Sequence, residues 1–147
     1  MNIIVLGAGA IGSFYGAKLS KLNDVILVGR KEHVEKINKN GLKIIGLENK
    51  IYNIRATTKI SKIDNNTLIL LTTKVFDNKN AIIKIKKLIR NDTLILCLQN
   101  GLSGENIVKK ITKNKYLIFR AITNFGISFP NPGIIKYNNH GYTSIEK

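Results

Sequence analysis

Cysteine is nearly missing. One in 147 residues excludes a disulfide scaffold and any multi-thiolate metal site built by this chain alone, and it agrees with a reducing compartment. Cys97 falls inside an apolar run, where a buried, inert thiol is expected rather than a nucleophile. No pair of carboxylates is placed for acid–base work, and nothing matches a nucleophile elbow or a P-loop. His33 and His140 lack the spacing to other ligands that a metal site needs; both are expected at the surface. Long apolar runs are missing too. The longest uncharged stretch, Met1–Ala17, holds four glycines and falls short of the ~20 apolar residues of a membrane-spanning helix. It also lacks the basic region of a signal peptide. A soluble, cytoplasmic chain is expected, with no membrane partner. Repeats, linkers and low-complexity blocks are absent.

Acidic residues are few: nine Asp and Glu against 24 Lys and Arg, a formal net charge of +15. Such an excess raises the question of nucleic acid or acidic lipid. Only four of the basic residues are arginine, the side chain favoured for phosphate recognition. Lys, Ile and Asn together make roughly two-fifths of the chain, far above ordinary usage, and these residues share A/T-rich codons. No basic stripe and no aromatic interleaving stand out, so the lysines read as solvated surface and no nucleic-acid partner is expected. With 44% hydrophobic and 22% charged residues, the composition is that of a globular domain. The length suits one domain, residues 1–147.

Short β-branched runs alternate with helical spacing. Asn2–Leu6, Asp24–Val28, Thr67–Thr73 and Thr93–Leu98 read as buried parallel strands. Ser13–Leu22 carries Phe14, Ala17 and Leu22 on one side of a helix. Lys31–Asn40 places Val34 and Ile37 inward, with Gly41 at the stop position. Asp77–Arg90 spaces Ile82, Ile85 and Ile89 for one face. Leu42–Arg55 reads as two short strands, Glu105–Ile111 as a short helix, and Tyr116–Phe119 and Ala121–Ile127 as strands. The only two prolines, Pro130 and Pro132, mark one turn; Ile134–Tyr137 with Tyr142–Ile145 reads as a closing hairpin. The fold class expected is therefore α/β: a Rossmann-like, mostly parallel sheet with helices on both faces and a C-terminal β-hairpin.

The strongest motif is Gly7-Ala8-Gly9-Ala10-Ile11-Gly12. It follows a strand and opens a helix within a strand–helix–strand unit, the context that a G-x-G-x-x-G run needs to read as dinucleotide-binding. Gly7 permits the turn, Gly9 lets backbone approach a pyrophosphate, and Gly12 lets helix and strand pack closely. The second strand ends Val28-Gly29-Arg30-Lys31, without the acid that would hold the ribose hydroxyls of NAD. Arg30 suits a 2′-phosphate instead, so NADP(H) is expected over NAD(H). Thr72-Thr73-Lys74 and Gln99-Asn100-Gly101 end two further strands at the edge where open parallel sheets bind ligands. Lys74 can meet a ribose or an acidic substrate, and Asn100 offers both a donor and an acceptor.

These motifs, taken in order with Thr123-Asn124-Phe125-Gly126, Pro132-Gly133 and Gly141-Tyr142-Thr143, resemble the N-terminal cofactor domain of the ketopantoate reductase (2-dehydropantoate 2-reductase) family. The resemblance covers essentially the whole chain. It implies NADPH-dependent reduction of a 2-keto acid, ketopantoate, to pantoate on the way to pantothenate and coenzyme A. It implies that Gly7, Ala8, Gly9, Ala10, Ile11 and Gly12 hold the pyrophosphate and that Arg30 holds the 2′-phosphate. Lys74 and Asn100 would line the cofactor and active cleft, with Asn100 also at the substrate, and Ile127 would lie by the cofactor through its backbone. Family members run to about two domains' worth of chain, and their second, helical domain supplies the catalytic lysine. That domain is expected to lie outside these residues, so no catalytic residue is assigned among them, and Lys74 belongs to the cofactor side. The chain alone is expected to be inactive. The alternatives are a stand-alone, non-catalytic NADP(H)-binding module, and dehydrogenases of sugar or polyol phosphates, which share the glycine loop but not the Thr-Lys and Gln-Asn-Gly strand ends. An apolar docking patch makes a homo-oligomer an open expectation.

Overall fold

The computed structural model describes residues 1–101 and 103–146; the last residue of the expected domain, Lys147, lies outside them. The chain opens β1 (Asn2–Leu6), α1 (Ala10–Leu19), β2 (Asp24–Val28), α2 (Lys31–Asn40). Three short strands follow, β3 (Leu42–Gly46), β4 (Lys50–Tyr52) and β5 (Arg55–Thr57). Then come β6 (Thr67–Leu71), a 3-10 turn (Val75–Asp77), α3 (Asn78–Ile85), β7 (Leu94–Leu98) and α4 (Gly104–Thr112). The chain closes with β8 (Leu117–Thr123), β9 (Gly126–Asn131), β10 (Ile134–Asn139) and β11 (Thr143–Ile145).

Seven strands form one sheet in the order β11-β8-β7-β6-β1-β2-β5. All neighbours are parallel except β11 against β8. The chain leaves β1 toward β2 on one side and returns to β6 on the other, so the strand order reverses between β1 and β6. That reversal opens a crevice at the carboxyl ends of the strands.

The continuous apolar strands are explained by cover on both faces. In β1, Ile3 and Val5 join the core formed with Phe14 and Ala17 of α1 and Val34 and Ile37 of α2. Ile4 and Leu6 join the opposite core, with Ile82 and Ile85 of α3 and Val108 of α4. A second sheet, ordered β4-β3-β10-β9, adds Leu42, Ile44, Ile135 and Tyr137 to the first core. The Tyr137 ring lies 4.9 Å from that of Phe14.

The α/β class and the parallel sheet are as expected, and several details are not. The C-terminal hairpin pairs β9 with β10 around Pro132-Gly133, whereas Tyr142–Ile145 was expected to be its second arm. β10 instead buries Ile135 and Tyr137 and pairs with β3, while β11 crosses back to the edge of the large sheet. Leu22 is 91% exposed, because α1 ends at Leu19 before the helical phase reaches it. α3 is shorter than expected; Ile89 is buried from the segment beyond it. Leu42–Arg55 holds the two short strands expected, β3 and β4, and a further strand, β5, starts at Arg55; β8 runs unbroken through Arg120. Among the described residues no helix is long and apolar enough to cross a membrane.

Candidate functional site

The glycine loop joins the end of β1 to α1. The Gly7 and Ala8 amides both donate to the Val28 carbonyl, at 3.1 and 2.8 Å, which ties the loop to the end of β2. Gly7 has φ +118°, and a Cβ there would lie 2.6 Å from the Thr73 backbone nitrogen. A Cβ on Gly12 would lie 2.2 Å from the Gly7 carbonyl oxygen and 2.5 Å from Thr72 Oγ1. Thr72 Oγ1 itself donates to that carbonyl at 2.7 Å. Gly7 and Gly12 are therefore fixed by packing of the protein against itself. Gly9 differs: a Cβ there would meet nothing within 4 Å. Its omission leaves open space in front of the loop.

That space faces the start of α1. Helix N-termini leave amides without intrahelical partners and carry partial positive charge. In α1 no side chain caps those amides and no acidic residue stands in the first turn. The loop opens onto a cleft of about 1010 Å³, at the upper end of the roughly 300–1,000 Å³ of small-molecule and cofactor sites. Its lining carries four cations, Arg30, Lys59, Lys74 and Lys84, against two acids, Glu32 and Asp77. An open cradle, uncapped amides and an excess of cations fit a phosphorylated dinucleotide.

Of the residues singled out in the sequence, Gly7, Ala8, Gly9, Ala10, Arg30 and Lys74 line this cleft together. Arg30 is the exposed N-cap residue of α2. Lys74 precedes the 3-10 turn, and its Nζ lies 5.8 Å from the centre of the Phe76 ring. Ile11 and Gly12 belong to the first turn of α1, behind the loop, with Ile11 packed on the core. Asn100 is exposed past the end of β7, where its Oδ1 accepts from the Thr123 amide at 3.4 Å. Ile127 sits in β9 and packs on the first core. Neither Asn100 nor Ile127 is among the residues lining the cleft; from the hairpin of Ile127, Phe129 and Pro132 are.

His33 corrects the surface expectation. It is 3% exposed, lines the cleft, and uses both ring nitrogens. Nδ1 accepts from the Gly133 amide at 2.8 Å, and Nε2 lies 2.9 Å from Ser13 Oγ. A backbone amide can only donate, so Nδ1 is bare and the neutral ring carries its proton on Nε2, toward Ser13. Burial holds its pKa down to about 4. The charged neighbours on α2 gave no sequence signal of this, because the partner that buries His33 arrives 100 residues later.

A second polar group lies beneath the strand ends. Asn78 Nδ2 donates to Gln99 Oε1 at 2.8 Å, and Gln99 Nε2 returns a bond to Asn78 Oδ1 at 2.5 Å. Thr73 Oγ1 donates to Asn78 Oδ1 at 2.8 Å, and Gln99 Nε2 also donates to the Thr73 carbonyl. This network locks the ends of β6 and β7 to the start of α3. Gln99 and Thr73 are legible in the sequence as strand-end residues; Asn78 carries no signal among so many asparagines. Cys97 is buried, and burial, with Glu105 nearby, pushes its thiol up to about 12, in keeping with the inert reading.

The family model described as ketopantoate reductase PanE/ApbA matches residues 3–147. A 2-dehydropantoate 2-reductase of Pyrococcus horikoshii is 40% identical over 99% of this chain and 47% of its own length. One from Lactococcus lactis is 35% identical over 99% and 48%. A ketopantoate reductase structure from Ralstonia eutropha matches with a TM-score of 0.91 at 25% identity, over 99% of this chain and 49% of that one. A D-mandelate dehydrogenase solved with NADH matches with a TM-score of 0.87 at 30% identity, over 99% and 48%. The chain thus spans about half the length of the relatives it matches. The chain belongs to the ketopantoate reductase PanE/ApbA family.

Proposed function

We propose that these residues form the cofactor-binding half of an NADPH-dependent reductase of a 2-keto acid, ketopantoate being the substrate that the resemblance implies. The observation that carries the reading is the open space at Gly9 in front of the uncapped start of α1. A pyrophosphate there accepts hydrogen bonds from amides that no side chain satisfies. Arg30, on the same cleft, supplies a planar cation for a 2′-phosphate. NADPH supplies the hydride. The chain's own part is to hold the dinucleotide and exclude wrong orientations. By the resemblance Asn100 meets the substrate; with Oδ1 engaged by Thr123, its Nδ2 donors are what it has left to offer. The lysine that donates the proton belongs, by resemblance, to the relatives' other half, so this half binds cofactor without turning over.

The test is a titration of the purified chain with NADPH and NADH, followed by ketopantoate. Tighter binding of NADPH without oxidation is expected. Arg30→Ala is expected to weaken NADPH by roughly tenfold or more, the loss of a charge-assisted contact, and to leave NADH nearly unchanged. Equal losses for both nucleotides refute the assignment of the 2′-phosphate. A second reading, preference for NADH, is favoured by one observation: Glu32 lines the same cleft two residues after Arg30. A carboxylate there suits ribose hydroxyls and repels a 2′-phosphate. The same titration separates the two.

A further inference from the structure

His33 is buried among α1, α2 and the β9–β10 hairpin, yet the space could be filled by an apolar side chain at no desolvation cost. What an apolar residue could not supply is an acceptor for the Gly133 amide, which His33 Nδ1 binds at 2.8 Å. Gly133 is itself tightly constrained: φ is +81°, and a Cβ would lie 2.8 Å from Lys36 Cβ on α2. The hairpin tip is therefore pressed onto the first turns of α2 by two independent features. The residues flanking that tip contribute to the cleft. Phe129 and Pro132 line it together with Arg30, and the Phe129 ring lies 4.7 Å from the His33 ring. The other ring nitrogen faces Ser13, the residue directly after the glycine loop.

We propose that His33 is a positioning residue for the nucleotide: by pinning the Gly133 tip to α2 it holds Phe129 and Pro132 in place as the cleft wall next to the turn that carries Arg30. The inference rests on the reading of the cleft as a nucleotide site. His33 need not touch the cofactor. It fixes the distance between two walls that come from segments 100 residues apart, and a wall that drifts by an ångström loses contacts along the whole adenosine end.

The test measures NADPH dissociation constants and thermal midpoints for the wild-type chain and three variants. His33→Leu keeps the bulk and removes the acceptor. His33→Asn restores an acceptor at the Nδ1 position. Ile95→Val, in the opposite core and fully buried, lowers stability without touching the cleft. His33→Leu is expected to weaken NADPH roughly tenfold, the scale of one lost buried hydrogen bond. His33→Asn should recover to within about threefold of wild type, and Ile95→Val should bind as wild type despite its lower midpoint. If His33→Leu does not fold, Gly133→Ala, which lifts the same tip, carries the test with the same expected loss. Unchanged binding in His33→Leu overturns the inference and leaves the cofactor reading standing. Equal weakening in the Leu and Asn variants, or in Ile95→Val, also overturns it, since stability alone would then explain the loss. A folded wild-type chain that binds neither NADPH nor NADH refutes both the cofactor reading and the role of His33.

Discussion

Gly9→Ala and Gly12→Ala add the same methyl group one helical turn apart, and the structure assigns them opposite consequences. At Gly9 the backbone has φ −83° and ψ −161°, which alanine adopts without strain. The new Cβ meets no protein atom within 4 Å. Replacing glycine at an N-cap costs up to ~1 kcal/mol, and the stiffer unfolded chain returns ~0.4–1 kcal/mol. Those contributions cancel, and the thermal midpoint is expected to stay within about 3 °C of wild type. At Gly12 the Cβ falls 2.2 Å from the Gly7 carbonyl oxygen and 2.5 Å from Thr72 Oγ1. Overpacking costs ~1–3 kcal/mol, and the displaced Thr72–Gly7 hydrogen bond adds ~1 kcal/mol. At roughly 2–4 °C per kcal/mol for a chain of this size, the midpoint should fall by roughly 4–16 °C. Binding inverts the order of interest. The Gly9 methyl occupies the space in front of the α1 amides and removes one or two charge-assisted bonds of ~1.5–3 kcal/mol each. NADPH should weaken by at least about tenfold in a protein that is otherwise intact. Differential scanning fluorimetry and nucleotide fluorescence titration read the two quantities separately. A folded Gly9→Ala chain that binds NADPH like wild type would refute the placement of the pyrophosphate at this loop.

Two further outcomes follow from groups whose titration is displaced. His33 is held near 4 in the fold against 6.5 for a free imidazole, so between those values the unfolded chain binds the extra proton. Stability is then fully present above about pH 6.5 and is lost as pH falls toward 4, by on the order of 3 kcal/mol. Urea unfolding at a series of pH values should show this slope in wild type and not in His33→Leu; equal slopes would remove the assignment. For Glu48, burial acts to raise the pKa but is outweighed by hydrogen bonds from Lys18 and Tyr52 and by the nearby lysine charges, which together lower it. Its contribution is lost only below its free value of 4.5, which leaves the His33 window largely distinct. Cys97, with its thiol pushed up to about 12, should react with an aromatic disulfide reagent at pH 8 at least ~100-fold more slowly in the native chain than in urea. Stoichiometric labelling of the folded chain within seconds would contradict its burial.

What could be read from the sequence divides along a physical line. The central strands of the large sheet, β1, β2, β6 and β7, are legible because they are covered on both faces and so appear as uninterrupted apolar runs: Ile3, Ile4, Val5 and Leu6 alternate between two cores. The glycine loop was legible because its spacing is dictated by local backbone geometry within a dozen residues. The partner of the closing hairpin is not legible, because β10 and β11 look equally strand-like in isolation. Only the burial of Ile135 and Tyr137 against Phe14 and β3 sends the first to the second sheet. β11, exposed along its whole length, is placed by its pairing with β8 and by a hydrogen bond between the Thr143 and Tyr15 hydroxyls.

His33 and Asn78 mark the other side of that line. Each is a common polar residue in a lysine-rich helix, and nothing within a helical turn distinguishes it from its solvated neighbours. Their burial comes from partners distant in sequence: Gly133 for His33, Gln99 and Gly104 for Asn78. A buried polar side chain is tolerated only when its hydrogen bonds are met. Among the described residues every fully buried side-chain nitrogen and oxygen has a partner. The two networks thus stand where the fold accepts a desolvation cost, and both stand around one cleft, His33 and Thr73 among its lining. An apolar core would hold the sheet and helices together equally well. What these polar groups add is orientation: of the hairpin tip against α2, and of the β6 and β7 ends against α3. Those are the segments that carry Arg30, Lys74 and Asn100, so the least legible residues in the sequence are the ones that set the geometry of the most legible ones.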